Sequence, residues 1–181
     1  MTFQELDDLD FFHENCKKTR KLQEIQIDIQ GPLPSLDHDG NSSNIKFVDR
    51  ISGYIKFETL STKTALEVTN AFKRFQARME RRTGKKIKSV LVDGGTEFDG
   101  DFVAHCEESG IIKQRGAPYR HHIPPQAEKA HEVINTGAKP LLLASNLPRK
   151  YYSLAQAFKT YLHIRIVNSS PSFTPFAFIY G

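Results

Sequence analysis

A chain of 181 residues fits one domain of ordinary size, large enough for a real core. Its 39% hydrophobic and 25% charged content is that of a globular protein, and no apolar run approaches the roughly 18 residues a bilayer-spanning helix needs, so no membrane helix is expected. The formal charge of +4 is a modest basic excess, compatible with a nucleic-acid partner without arguing for one. The start of the chain, Met1 to Phe12, is acidic and lacks a basic n-region, so a signal peptide is not expected. Cys16 and Cys106 are too few for a disulfide framework and read as reduced thiols of an intracellular protein.

In chain order, the first structured signal follows His13-x-x-Cys16, half of a zinc-site spacing with no second pair nearby. Residues 24–30 alternate strictly, with Ile25, Ile27 and Ile29 on one face and Gln26, Asp28 and Gln30 on the other, which predicts a strand. A polar loop over 35–44 and strands over 45–49 and 53–60 complete an antiparallel meander. Thr62 or Thr64 caps a helix to about Arg82, whose stripe is Ala65, Val68, Phe72, Phe75 and Met79. Lys73, Arg74, Arg78, Arg81 and Arg82 lie mostly off that stripe as a basic face. A central strand spans 87–93, a helix 98–109 closed by Gly110, a short strand 111–113 and a loop 114–126. A helix over 127–144 contains Gly137 and Pro140, and the proline should kink or end it. The last predicted helix, 149–165, buries Leu154, Ala157, Phe158, Tyr161 and Leu162, and a Pro/Ser-rich tail follows. This order predicts an α/β protein, a five-stranded mixed sheet flanked by helices.

Asp28 sits mid-strand and Asp93 ends the central strand, directly before Gly94-Gly95. If those strands are neighbours their carboxylates approach, and paired carboxylates do not comfortably both ionise without a cation between them. Oxygen-only ligands suit Mg²⁺ or Mn²⁺, and two such ions side by side are a standard device for in-line phosphoryl transfer. Glu128 is the best-placed third carboxylate. The plain alternative for Asp93 is a capping aspartate in a strand-to-helix turn. Glu97, one turn on, is expected to stabilise a helix N-terminus, Asp49 to cap its turn, and Cys106 to act as a small buried hydrophobe.

These motifs resemble those of retrotransposon integrases of the Ty1/copia type. Asp28-Ile29-Gln30-Gly31-Pro32-Leu33-Pro34 resembles their first catalytic motif, Phe47-Val48-Asp49 with Gly53-Tyr54 their next strands, and Asp93-Gly94-Gly95-Thr96-Glu97-Phe98 their second motif. Gly110-Ile111 and Ala117-Pro118-Tyr119 match the approach to the third motif, Ala127-Glu128-Lys129 its core, and Leu147-Pro148 and Thr174-Pro175 later landmarks. The resemblance implies a ribonuclease H-like fold, a core over 22–166 with a tail over 167–181, and an N-terminal segment, 1–21, that keeps His13 and Cys16 from a zinc-binding module. It implies divalent-metal-dependent processing of DNA 3′ ends and strand transfer, with Asp28, Asp93 and Glu128 as catalytic and metal-binding triad. Lys85, Lys86, Arg115, Arg120 and Lys129 are the candidate nucleic-acid contacts. DNA ends and target DNA are the expected partners, in a homo-oligomer, with a nuclear location and a cytoplasmic particle stage. Departures stand beside this. The chain has 34 residues between Asp93 and Glu128, one short of the usual spacing. Pro125-Gln126-Ala127 replaces a Gln-Asn-Gly run, and His131 and Glu132 stand where basic and amide residues face DNA. A catalytically silent nucleic-acid-binding remnant of a polyprotein is therefore the second reading, and a nuclease of RNA–DNA hybrids the third.

Overall fold

The computed structural model describes residues 20–33, 35–116, 125–167 and 173–181, with the side chains of 125–127 excluded. The alternating isoleucines form β1 (Glu24–Gln30), which continues as an antiparallel meander through β2 (Ser43–Asp49) and β3 (Ile55–Leu60). Helix α1 (Ala65–Thr83) crosses over to β4 (Ser89–Val92), which pairs parallel with β1. A single 3-10 turn (Thr96–Phe98) and α2 (Asp101–Glu108) lead to β5 (Ile112–Arg115), parallel to β4. Helices α3 (Pro125–Ala144), α4 (Tyr152–His163) and α5 (Pro175–Tyr180) complete the described chain. The sheet order is β3-β2-β1-β4-β5.

Local chemistry explains the boundaries of α1. The Thr64 hydroxyl accepts from the Glu67 backbone N–H, while the Glu67 carboxylate accepts from the N–H groups of Ser61 and Thr62, so orphan donors at the helix entry are met. Gly84 ends the helix at φ 65°, a left-handed conformation that costs glycine little, and its N–H returns to Glu80. The buried stripe of α1 packs on the sheet face that carries Ile27 and its cross-strand partner Phe47. Phe47 stacks on Phe75 at 4.4 Å between ring centroids, and Phe72 links this cluster to Phe102 of α2 at 5.2 Å. Truncating any one of these phenylalanines to alanine should cost about 3–5 kcal/mol. The opposite face carries Asp28, Lys46 and Asn44 and is covered by α3 and α4.

Three expectations are corrected. Of the kink or end expected at Pro140, the end does not occur: α3 continues to Ala144. Proline removes one backbone bond, and packing against α4 outweighs that loss, with Gly137 so close to Lys159 that a Cβ would lie 2.4 Å from its side chain. The buried face of α4 is polar. Ser153, Gln156 and Thr160 face inward, whereas Leu154, Phe158 and Tyr161 are about half exposed. The cause lies on the sheet, where buried amides require hydrogen-bond partners that a leucine cannot supply. The tail contains α5, capped by the Thr174 hydroxyl on Ala177 N–H and seated through Phe178 and Ile179, whose carbonyls both accept from Lys21 Nζ. Smaller shifts also occur: the helix expected over 98–109 divides into the 3-10 turn and α2, the strand expected over 111–113 runs over 112–115, and the central strand stops before Asp93.

Candidate active site

Asp28 is placed by register. In the β1–β2 pairing Lys46 stands directly opposite it, and Lys46 Nζ lies 3.7 Å from Asp28 Oδ2 with the lysine side chain wholly buried. From α3, His131 Nδ1 approaches the same oxygen at 2.8 Å and lies 3.1 Å from Lys46 Nζ. One nitrogen cannot serve both neighbours. Carrying the proton, Nδ1 donates to Asp28; bare, it accepts from Lys46. Lys46 also donates to Asn44 Oδ1 at 3.2 Å.

A chain of amides continues from there. Asn44 Nδ2 donates to Gln156 Oε1 at 3.3 Å, and Gln156 Nε2 donates to Asn135 Oδ1 at 2.6 Å and Gln30 Oε1 at 3.2 Å. The network ties β1, β2, α3 and α4 together beneath the site. Burial alone would raise the Asp28 pKa, but the hydrogen bond from His131 and the Lys46 ammonium outweigh it and hold the carboxyl below its ordinary value. Burial acts the other way on Lys46, lowering its pKa to about 8 despite the pull of Asp28.

A cleft of about 490 Å³ opens over Asp28. Its other wall is one face of α3, with Glu128, His131, Glu132, Asn135 and Lys139 at helical spacing. Two of the three expected carboxylates thus share the cleft. The third lies beyond the paired residues: the parallel β1–β4 register runs to Gln26 opposite Leu91, two residues short of Asp28 and Asp93. Asp93 lies just past β4, exposed, with Oδ1 accepting from the Gly95 N–H at 3.0 Å, as a turn-capping aspartate does. It is not part of the cleft lining, and among the described residues no group of three His, Cys, Asp or Glu side chains is gathered closely enough to hold a metal.

The candidate nucleic-acid contacts divide. Arg115 and Lys113 both pair with Asp99, and Lys86 pairs with Glu80 at 2.5 Å. Lys85 is half-buried and Lys129 exposed beside Glu128. Arg120, His121, His122, His13 and Cys16 lie outside the described residues. Glu97 lies in the first turn of the 3-10 helix, where an acid was expected, and also pairs with Lys63 at 3.1 Å. Asp49 does secure its turn, accepting from Leu22 N, Ser52 N and Ser52 Oγ. Cys106 is buried and unbridged, its thiol pushed up to about 11 by burial. Sequence reasoning missed Lys46, Asn44 and Gln156, and noticed His131 only as a departure. The signal for Lys46 was the hairpin register, which sets a lysine opposite an inward aspartate.

This sheet order, with helices on both faces, is a ribonuclease H-like fold. The bovine immunodeficiency virus (BIV) integrase core is similar with a TM-score of 0.63 and 17% identity, over 86% of this chain and 92% of that one. The HTLV-2 integrase core, solved in complex with magnesium in a trimeric form, has a TM-score of 0.64 and 17% identity, over 87% and 95%. A chain of the simian T-cell lymphotropic virus intasome in complex with PP2A regulatory subunit B56 gamma has a TM-score of 0.69 and 16% identity, over 88% and 55%. No protein-family model matches the chain. In sequence it is similar to the retrovirus-related Pol polyprotein from transposon TNT 1-94 of Nicotiana tabacum, 29% identical over 163 residues, or 90% of this chain. It spans 12% of that polyprotein's length. The Ty1/copia integrase resemblance read from the motifs fits the sequence similarity to this Pol polyprotein, and the solved integrase cores share the chain's fold.

Proposed function

We propose that the chain is the catalytic core of a retrotransposon-type integrase, acting on DNA by divalent-metal-dependent 3′-end processing and strand transfer. The observation that supports this reading is the cleft that Asp28 and Glu128 line together, on a sheet in which β1 runs parallel beside β4, the strand that leads into Asp93. Asp28, Asp93 and Glu128 would hold Mg²⁺ or Mn²⁺, and an all-carboxylate donor set fits such hard cations. The ion supplies activation of the attacking oxygen and neutralisation of charge on the phosphate. The chain's own groups do the rest. Glu128 and Lys139 on α3 flank the phosphodiester path, and Lys129 with Lys85 offers phosphate contacts whose strength falls with salt. In each transfer a P–O bond forms to water or to a 3′-hydroxyl as the P–O bond to the leaving oxygen breaks, and the leaving oxygen takes a proton. The magnesium complex of the HTLV-2 core and the intasome assembly support Mg²⁺, DNA and a homo-oligomer as expectations for this chain. Among the described residues no helix is long and apolar enough to cross a membrane. A nuclear site of action follows from chromosomal DNA as target, after a cytoplasmic particle stage.

Mn²⁺ titration by calorimetry tests the metal site: binding should weaken at least tenfold in Asp93→Asn and in Glu128→Gln, and equal binding in all three proteins refutes it. A second reading, a silent nucleic-acid-binding remnant, is favoured by the ion pair that already occupies Asp28. Its mark is DNA affinity that falls with salt and ignores divalent ions.

A further inference from the structure

We infer that Lys46 is a built-in counter-cation of Asp28 and that it sets how weakly this site takes a divalent ion. The side chain has no exposed surface, so its ammonium cannot reach bulk water as surface lysines do. Its surroundings are instead those of a held cation. Asn44 Oδ1 accepts from Nζ at 3.2 Å, Asp28 Oδ2 forms an ion pair with it at 3.7 Å, and His131 Nδ1 lies 3.1 Å away, an acceptor only when it carries no proton. They come from β2, α3 and β1, so the lysine is clasped by the elements that build the cleft.

The geometry also divides the two oxygens of Asp28. Lys46 and His131 both address Oδ2, while the described residues leave Oδ1 without a hydrogen-bond partner. An incoming divalent ion would therefore approach through Oδ1, with a fixed positive charge a few ångströms behind it. Like charges repel, and inside a protein the effect is larger than in water. Lys46 thus acts as a positioning residue: it orients the carboxylate and opposes the metal's charge. In the tautomer that carries the proton on Nδ1, His131 shares the task by donating to Oδ2 instead of accepting from Lys46. A lysine placed for packing alone would not need its ammonium aimed at the aspartate.

This inference rests on the reading that Asp28 is a metal ligand, and one set of titrations separates the two. Mn²⁺ is titrated into the folded chain and into Lys46→Met, Lys46→Arg and Lys46→Met/Asp28→Asn, followed by calorimetry and by loss of the free Mn²⁺ electron-paramagnetic signal. Lys46→Met should bind Mn²⁺ at least tenfold more tightly. Lys46→Arg, which keeps the charge, should stay within about threefold of the parent, and the double variant should lose the gain. Unchanged or weaker binding in Lys46→Met, with parent binding that still depends on Asp93, overturns the role of Lys46 and leaves the metal site standing. No binding to any of these proteins at millimolar Mn²⁺ overturns both. If Lys46→Met fails to fold, Lys46→Gln, neutral and still able to donate to Asn44, carries the same comparison.

Discussion

Replacing Gln156 with leucine tests the polar seating of α4 most sharply. Leucine is close to glutamine in volume, so little cavity is made; what is lost is hydrogen bonding. Gln156 is wholly buried, and its amide joins Asn44, Asn135 and Gln30. Asn44 is also wholly buried, so its Nδ2 keeps only a weak partner, Gln30 at 3.5 Å. Gln30 and Asn135 are half-buried and can recruit water. One poorly met buried donor costs about 1–3 kcal/mol, and two partly hydrated acceptors add a smaller amount. The expected loss is roughly 2–4 kcal/mol, which for a domain of this size lowers Tm by roughly 5–15 °C. Phe158→Ser, on the outer face of the same helix where the side chain is 51% exposed, should cost less than about 1 kcal/mol. Urea unfolding followed by circular dichroism measures both. The reasoning is refuted if Gln156→Leu changes stability by less than about 0.5 kcal/mol, or if Phe158→Ser is the more damaging of the two.

Other consequences are open to measurement. Thr64→Ala should cost about 1 kcal/mol of unfolding free energy through loss of its cap on Glu67 N–H. Asp49→Ala should cost about 1–3 kcal/mol, because the buried Leu22 N–H loses its acceptor. Lys46 makes stability depend on alkaline pH. Its pKa is about 8 folded against 10.5 ordinarily, so between those values the unfolded chain binds more protons and stability rises with pH. Relative to Lys46→Met, the parent should gain up to about 3 kcal/mol from pH 8 to 10.5, read from unfolding midpoints across that range. A flat difference would contradict the buried ammonium.

Periodicity made the sheet legible. The isoleucine alternation of β1 and the stripe of α1 follow from burial on one face, and the structure places both as read. The adjacency of β1 and β4, the strands that carry or lead to Asp28 and Asp93, was legible because a meander followed by a crossover leaves few places for the fourth strand. The face of α4 was not. An apolar stripe at Leu154, Phe158 and Tyr161 promises burial, yet the sheet beneath offers Asn44 and Gln30, and satisfying buried amides settled the rotation of the helix. Pro140 misled for a related reason: a local rule about one missing N–H was overridden by helix packing that no local window contains. Lys46 and His131 come together across 85 residues of sequence, a contact that register and helix docking create jointly.

The central claim, a metal-dependent DNA strand-transferase core, is tested most directly by a disintegration assay, the reverse of strand joining, on branched DNA with Mn²⁺. The parent chain should resolve the branch, and Asp93→Asn and Glu128→Gln should lower the rate by at least a hundredfold while folding normally. Activity retained in both variants, or absent from the folded parent while DNA binding persists without regard to divalent ions, would contradict the claim and leave a nucleic-acid-binding remnant in its place.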